Sequence, residues 1–349
     1  MTIFISIASY RDVELPLTIA SALDNAASPS EIHIGVVQQS TKRERIDFST
    51  NSQVSEIWMP PQEARGAGYA RARAQELYRG EDYFMQIDSH TRFDPNWDAE
   101  LIKMHDLALN SANTNKVIIS AFPKAYIREG SQDVPVISAA YPVEPHTQIA
   151  LWSKNTVWSA LRLPFDNPRM TTPEESEVVL AGYIFTTGNI VSEVPYDQDI
   201  SFFGEELCFS IRAWTRGWKI YSPNKAVLSH FYHRPGHNKI WDMGNNLNKR
   251  WGGIEKKSMD RQYDIYRGRF NGTIWGALDQ ESLDAYYAFI RQDVPSLYGE
   301  MLRGREQESK SHKVAELTIE GFTPMLSIPC MDEEHQKCGV DGCECPCHT

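Results

Sequence analysis

The sequence has almost no cysteine over most of its length, since Cys208 stands alone before a group of five that begins at Cys330. So little cysteine in the body of the chain fits a reducing compartment and argues against a disulfide framework there. The N-terminus also lacks the basic start and long apolar run of a signal peptide. No apolar run approaches the ~20 residues that a membrane-spanning helix needs. We therefore expect a soluble, cytoplasmic protein with no membrane span.

An excess of positive charge is also absent, because the formal net charge is -11. Sequence-independent binding to nucleic acid needs a basic face, so we expect no nucleic-acid partner. What is present is ordinary for a globular protein: 349 residues, of which 41% are hydrophobic and 23% charged. That length suits one large α/β domain with an appendage, or two modest domains.

Short apolar runs alternate with helical patterns through the first two thirds of the chain. Strands are predicted at residues 4–8, 31–38, 56–59, 83–87, 116–122, 183–191, 218–221 and 226–232. Helices are predicted at 15–25, at 67–78, after an N-cap at Asp94, at 204–216 and at 282–302. Alternating strands and helices are typical of an α/β fold with a mostly parallel, Rossmann-like sheet. Long loops with short strands are predicted between residues 124 and 173.

The pair Asp88 and His90 follows a continuous apolar strand directly. Ligands of open α/β sheets bind at the carboxyl ends of strands. Residues two apart in an extended segment point to the same side. A carboxylate together with an imidazole suits a borderline cation such as Mn²⁺. An isolated D-x-H pattern is more often a turn cap beside a packed histidine, so it needs support from elsewhere in the chain.

That support comes from later in the sequence, where Gly204-Glu205-Glu206 opens a helix and a strand ends at His230. Each feature alone has an ordinary explanation. The helix dipole favours carboxylates at a helix start, and a single histidine is commonly a core residue. The order is more informative than the parts: a D-x-H, then acidic residues at a helix start, then a strand ending in histidine.

Five segments together resemble the GlcNAc-transferase family, whose best-known member is a cytoplasmic enzyme that glycosylates hydroxyproline on the protein Skp-one. These segments are FISIASYRD, GAGYARARAQ, YFMQIDSHTRF, FFGEELCFSIRAWTRGW and LSHFYHRPG. A more distant likeness connects them to the polypeptide N-acetylgalactosaminyltransferases. The resemblance spans roughly residues 3 to 240. It implies a GT-A fold, a UDP-sugar donor, a divalent cation (Mn²⁺ or Mg²⁺) and retention of anomeric configuration.

The resemblance also assigns expected roles to residues of this chain. The metal ligands it implies are Asp88, His90 and His230. The residues it places around the nucleotide-sugar are Ser6, Ala8, Tyr10, Arg11 and Asp12 at the uracil and ribose, Arg71 or Arg73 at the diphosphate, and Ser89 beside Asp88. The acidic pair expected near the donor sugar is Glu205 and Glu206, of which one or both act in catalysis. Because Arg71 and Arg73 point in different directions on a helix, we expect only one of them to reach the donor.

The function that follows is retaining transfer of GlcNAc, or a related N-acetylhexosamine, from UDP-GlcNAc or a similar donor to a hydroxyl of a protein or peptide. One alternative is an inverting polysaccharide glycosyltransferase, in which Glu205, Glu206 or Asp199 would act as general base. A second is a non-catalytic module that binds a sugar or a partner. The anomeric configuration of the product and the binding of Mn²⁺ and UDP distinguish these three.

The C-terminal part divides into a helical extension at residues 236–310 and a cysteine-rich tail at 311–349, after a catalytic domain at 1–235. The tail combines its five cysteines with His335 and His348. Thiolates and imidazoles at this density could form a structural Zn²⁺ site, although C-x-C-x-C lacks the usual C-x-x-C pairs. An unstructured thiol-rich tail, or one that binds a partner or is modified, is the alternative.

Overall fold

The computed structural model describes residues 1–129, 132–135, 147–154, 157–164, 171–232, 234, 239–240, 245–300 and 303. The strands are β1 (Ile3–Tyr10), β2 (Ile32–Gln39), β3 (Val54–Met59), β4 (Tyr83–Asp88), β5 (Thr91–Phe93), β6 (Val117–Ser120), β7 (Lys124–Glu129), β8 (Gln132–Pro135), β9 (Thr147–Lys154), β10 (Val157–Pro164), β11 (Glu174–Glu175), β12 (Tyr183–Thr187), β13 (Lys219–Ser222) and β14 (Leu228–His230). The helices are α1 (Leu15–Asp24), α2 (Ala67–Gln75), α3 (Trp97–Ala112), α4 (Ile190–Glu193), α5 (Glu205–Trp214), α6 (Asn245–Tyr266) and α7 (Gln280–Ile290).

The central sheet has eight strands in the order β11-β13-β6-β12-β4-β1-β2-β3. Strands β4, β1, β2 and β3 run parallel to one another, and β13 runs parallel to β6. Strand β12 is antiparallel to both β4 and β6, and β11 is antiparallel to β13. A parallel pair of strands usually needs a crossover helix between them. The described part of the chain between β6 and β12 holds strands and turns instead, in agreement with the antiparallel pairing of these two strands. The mostly parallel α/β sheet predicted from the sequence is confirmed.

The core lies on both faces of this sheet because the buried strands alternate their side chains between the faces. Ile5 and Ile7 of β1 pack on one face with Leu15 of α1 and Trp97 of α3. Phe4 points to the opposite face, into a cluster that contains residues of α4 and α5. Strands β1, β2 and β4 are therefore buried on both sides, which leaves their ends for a site.

A smaller sheet in the order β5-β14-β7-β8 lies next to the end of β4. Strand β5 begins one residue after His90, and its Thr91 pairs with His230 of β14. The backbone N–H of Phe231 donates to the carbonyl of His90 at 3.1 Å. This pairing brings two segments that are 140 residues apart in sequence to the same place.

The C-terminal helices pack against α5 through a separate apolar cluster. Cys208 and Ile211 of α5 meet Ile265 of α6 and Leu283 and Tyr286 of α7. The predicted division of the chain at residue 235 stays a prediction. The cysteine-rich tail and its predicted zinc site lie outside the described residues. No helix in the described part of the chain has both the length and the apolar character that crossing a membrane requires.

Several predicted element boundaries are wrong. Asp94 does not cap α3, which begins at Trp97 after the left-handed Asn96, because the Asp94 carboxylate instead pairs with Lys124 Nζ at 2.6 Å. The strand predicted at 183–191 ends at Thr187, and α4 follows it. The helix predicted at 282–302 is interrupted at Arg291, whose left-handed conformation (φ 57°) ends α7.

Candidate functional site

Three potential metal ligands, Asp88, His90 and His230, meet at the carboxyl end of β4. Their ligand atoms all lie within 4.8 Å of one another, and no other group of this kind is found in the described residues. Asp88 Oδ2 lies 3.1 Å from His230 Nε2, and the two imidazole rings are 4.5 Å apart between centroids. Both histidines are buried, and Asp88 is partly exposed. The structure thus brings together the three residues that the sequence predicted as metal ligands.

The donor set fits a divalent cation. Two adjacent ligands of one small octahedral cation lie about 3 Å apart, which matches the distance between Asp88 Oδ2 and His230 Nε2. Gly182 has no side chain, which leaves space beside this carboxylate. A Cβ built at that position would lie only 2.9 Å from Asp88 Oδ2. One carboxylate with two imidazoles is a set that Mn²⁺ and other borderline cations accept.

The protonation states of two of these residues also suit ligation, which requires deprotonated groups. Burial would raise the pKa of Asp88, but the hydrogen bond from His230 and the charge of Arg71 outweigh it and hold that pKa well below its usual range. Burial lowers the pKa of His90 to about 4, and the charges of Arg234 and His230 add to this effect. At neutral pH, Asp88 is therefore ionised and His90 is neutral.

Arg71 of α2 connects the metal group to the start of α5. Its Nη2 donates to Asp88 Oδ1 at 2.8 Å, and its Nη1 donates to Glu205 Oε1 at 2.5 Å. The Tyr196 hydroxyl lies 3.4 Å from the same Nη1. Burial would lower the pKa of Arg71, but the charges of Glu205, Tyr196 and Asp88 together outweigh it and raise that pKa. Arg73 instead points outward and pairs with Glu76, so only one of the two predicted arginines is at the site.

The two glutamates at the start of α5 differ in their partners. Glu205 is buried, and burial raises its pKa despite the ion pair with Arg71. Glu206 Oε1 accepts a hydrogen bond from the backbone N–H of Ala181 at 3.0 Å. Burial raises the pKa of Glu206 to about 7, so near neutral pH this carboxyl can hold or release a proton. Either residue could act on a sugar or an acceptor hydroxyl placed near Asp88.

The residues predicted to hold the nucleotide differ in position and in partners. Ala8 pairs with Asp88 across the sheet, and Tyr10 is the last residue of the strand. Ser6 is buried further down β1, and its Oγ has no hydrogen-bond partner among the described residues. Arg11 turns away, with φ at 48°, and its Nη2 donates to Glu44 at 2.6 Å. Ser89 is buried, and its hydroxyl donates to Asp12 instead of facing an open site.

The structure shows contacts around the site that the sequence did not predict. The Asp12 carboxylate contacts His90 Nδ1 at 2.8 Å and Arg234 Nη1 at 2.9 Å, where the sequence suggested only nucleotide binding. Tyr196 and Gln86 extend the network around Arg71, and their hydroxyl and amide lie 3.4 Å apart. No local pattern marks Tyr196 or Gln86 as functional. The YRD motif was the available signal for Asp12, but it did not indicate which group the carboxylate would meet.

Comparison with known proteins agrees with this fold. The family model described as glycosyltransferase (GlcNAc) matches residues 2–51 and 42–289. No curated protein sequence matches the chain. The crystal structure of GalNAc-T7 with UDP, GalNAc and Mn²⁺ is similar, with a TM-score of 0.54 and 15% identity, over 89% of this chain. This chain covers only 58% of the GalNAc-T7 chain.

Two structures of S. aureus TarS are also similar over most of this chain. TarS 1–349 in complex with UDP-GlcNAc has a TM-score of 0.41 and 12% identity, over 89% of this chain and 88% of that chain. A second structure of TarS 1–349 has a TM-score of 0.46 and 10% identity, over 92% of this chain and 95% of that chain. The family match covers far more than half of the chain, and the fold is the predicted GT-A type. The chain therefore belongs to the GlcNAc glycosyltransferase family.

Proposed function

We propose that this glycosyltransferase moves GlcNAc, or a related N-acetylhexosamine, from a UDP-sugar to a hydroxyl group. A divalent cation, Mn²⁺ or Mg²⁺, would be held by Asp88, His90 and His230. The observation that carries the proposal is the convergence of these three side chains at the carboxyl end of β4 in a member of this family. GalNAc-T7, which shares the fold, was crystallised with UDP, GalNAc and Mn²⁺.

The bound cation would supply Lewis-acid stabilisation of the diphosphate as it leaves. The protein residues provide the surroundings in which this is effective. Asp88 presents Oδ2 to the cation site while Arg71 holds Oδ1, so the carboxylate is fixed by two different partners. In this proposal Arg71 acts by holding two carboxylates in place. Its Nη2 is engaged by Asp88 and its Nη1 by Glu205, which leaves it poorly placed to bind a phosphate directly.

Glu205 is the residue we assign to the donor sugar. Its carboxylate shares the Arg71 guanidinium with Asp88, so Glu205 is the acidic residue of α5 that is connected directly to the proposed metal ligands. A carboxylate there can accept hydrogen bonds from sugar hydroxyls and fix the orientation of C1. The uracil and ribose are assigned to the end of β1, with Ala8 and Tyr10 as the nearest predicted residues.

The reaction we propose retains the anomeric configuration. The acceptor oxygen forms a bond to C1 on the face from which the diphosphate leaves, the C1–O bond to the diphosphate breaks, and the departing phosphate oxygen takes the acceptor proton. One observation favours the inverting alternative: Glu206 has a pKa of about 7, which suits a general base. In that case the acceptor proton would go to Glu206, and attack would come from the opposite face of the sugar.

We propose a protein or peptide hydroxyl as acceptor, on the strength of the sequence resemblance, and a cytoplasmic location. The scarcity of cysteine before residue 330 supports the proposed reducing compartment. Acceptor specificity depends on loops that differ readily within a fold, so it needs its own experiment.

A donor screen tests the proposed function. The purified chain is incubated with UDP-GlcNAc, UDP-GalNAc and UDP-glucose, with Mn²⁺ or with EDTA, and the release of UDP is measured. We expect release from an N-acetylhexosamine donor with Mn²⁺, and its loss with EDTA and in His90→Ala. Release that is equally fast with EDTA, or in His90→Ala, would contradict the metal assignment. The anomeric configuration of the product then decides between retention and inversion.

A further inference from the structure

Asp12 is a buried carboxylate that contacts the metal group through His90. Its Oδ2 accepts hydrogen bonds from Ser89 Oγ at 2.7 Å, from His90 Nδ1 at 2.8 Å and from Arg234 Nη1 at 2.9 Å. Its Oδ1 accepts the backbone N–H of Glu14 at 3.0 Å. The side chain is only 3% exposed. A carboxylate with four donors around it is held in one orientation, and so are the groups that donate to it.

The contact with His90 determines where the imidazole carries its proton. An ionised carboxylate has no hydrogen to give, so the hydrogen bond requires the proton to be on Nδ1. A neutral imidazole with Nδ1–H has its lone pair on Nε2. Asp12 therefore selects the one tautomer in which Nε2 of His90 can bind a cation. Without it, both tautomers and a rotated ring would be accessible.

We propose that Asp12 is a positioning residue that fixes the ring and the tautomer of His90, so that Nε2 faces a divalent cation. This inference rests on the proposed function and adds a residue to it. A carboxylate behind a metal-binding histidine orients the ring and makes it a stronger ligand. The sequence alone associated Asp12 with the nucleotide, whereas its hydrogen bonds connect it to the metal group.

The loop that carries Asp12 is itself held rigidly. Glu14 is buried, and Arg128 donates to both of its carboxylate oxygens, at 2.8 and 2.9 Å. Arg92 donates to Glu14 as well. These contacts fix the loop after β1 against β5 and β7. The Asp12 carboxylate is therefore supported by a folded surrounding.

The test uses Asp12→Asn, with Asp98→Asn as the matched control. Asp98 is also a buried carboxylate, and it accepts the backbone N–H groups of Ala27 at 2.7 Å and Ser28 at 2.9 Å, away from the metal group. Both variants remove one buried negative charge, so both are expected to lower stability. An asparagine at position 12 can present its NH₂ group to His90 and so favour the wrong tautomer.

Three measurements are made on the full-length protein: Mn²⁺ affinity by calorimetry, the His90 tautomer by ¹⁵N NMR of the metal-free protein, and the Mn²⁺ concentration that half-activates UDP release. In Asp12→Asn we expect Mn²⁺ affinity to fall by about 10–100-fold. We also expect the Nδ1–H tautomer to lose its dominance, and activity to recover partly at high Mn²⁺. Asp98→Asn should keep the wild-type affinity and tautomer despite its lower stability.

Asp12→Asn with wild-type Mn²⁺ affinity and an unchanged His90 tautomer would overturn the proposed role while leaving the proposed function intact. An equal loss of affinity in Asp98→Asn would also overturn it, because the effect would then come from general destabilisation. If the wild-type protein itself bound no Mn²⁺, the proposed function would fail first, and the role of Asp12 with it.

Discussion

Replacing Arg71 with methionine should destabilise the protein severely, because the guanidinium is the ion-pair partner of two carboxylates. Its Nη1 holds Glu205 and its Nη2 holds Asp88, and Glu205 is buried. Removing one partner of a buried ion pair leaves an uncompensated charge and typically costs about 3–5 kcal/mol. Asp88 is about one quarter exposed, so water replaces part of its lost interaction. We therefore assign most of the loss to Glu205.

The same reasoning predicts how the stability loss of Arg71→Met depends on pH. Burial already raises the pKa of Glu205 in the folded protein, and without Arg71 it should rise further. A carboxyl whose pKa is higher in the folded than in the unfolded state binds more protons when folded, so stability falls as pH rises towards the folded pKa. The deficit of Arg71→Met should thus be largest near pH 8 and smaller near pH 5. Urea unfolding, followed by tryptophan fluorescence at both pH values, measures it.

Two further variants make this prediction refutable. Arg73→Met is the matched control, because Arg73 lies on the same helix but is 37% exposed and pairs only with Glu76. It should change the free energy of unfolding by less than about 0.5 kcal/mol. The double variant Arg71→Met/Glu205→Gln removes the unpaired charge and should recover most of the lost stability without recovering sugar transfer. Equal stability losses in Arg71→Met and Arg73→Met, or an additive loss in the double variant, would refute the argument.

Two other changes test neighbouring parts of the site. Gly182→Ala would place a Cβ 2.9 Å from Asp88 Oδ2 and displace the carboxylate. Sugar transfer should then fall by roughly 10–100-fold, and Mn²⁺ should bind more weakly. Unchanged Mn²⁺ binding would show that the close approach is unimportant. Burial raises the pKa of Glu206 to about 7 in the folded state, so the free energy of unfolding of the wild type should fall as pH rises from about 4.5 to about 7. Glu206→Gln should remove this fall, because glutamine does not titrate. Parallel unfolding titrations across that range measure this difference, and identical slopes for the two proteins would contradict it.

The fold could be predicted from the sequence where apolar runs were long and continuous. The strand from Tyr83 to Asp88 is an example, because burial on both faces leaves a run that is apolar except for Gln86 and the final Asp88. Boundaries failed where a tertiary contact decided them. Aspartate is a favoured N-cap residue, yet the carboxylate of Asp94 pairs with Lys124 on β7. The local sequence does not reveal this partner. The antiparallel direction of β12 was equally invisible, since apolar patterning does not encode strand direction.

The residues of the site could be predicted from the sequence, but the contacts among them could be predicted only in part. The D-x-H pattern and the later histidine pointed to Asp88, His90 and His230, and the pairing of β5 with β14 explains why they meet. Sequence could not choose between Arg71 and Arg73, because helical phase alone does not show which side of α2 is buried. The carboxylate of Asp12 acts 78 residues away in sequence, on His90. Such a contact depends on strand order, so it appears only in the folded structure.

Counting the histidine nitrogens bound to Mn²⁺ tests the central claim most directly. Pulsed electron paramagnetic resonance of the Mn²⁺-loaded protein detects the coupling of imidazole nitrogen to the metal. We predict two coordinated histidines in the wild type and one in His230→Ala, because His90 and His230 share one cation site with Asp88. A spectrum with no histidine nitrogen, or one unchanged by His230→Ala, would contradict the claim that these distant segments bind a common metal.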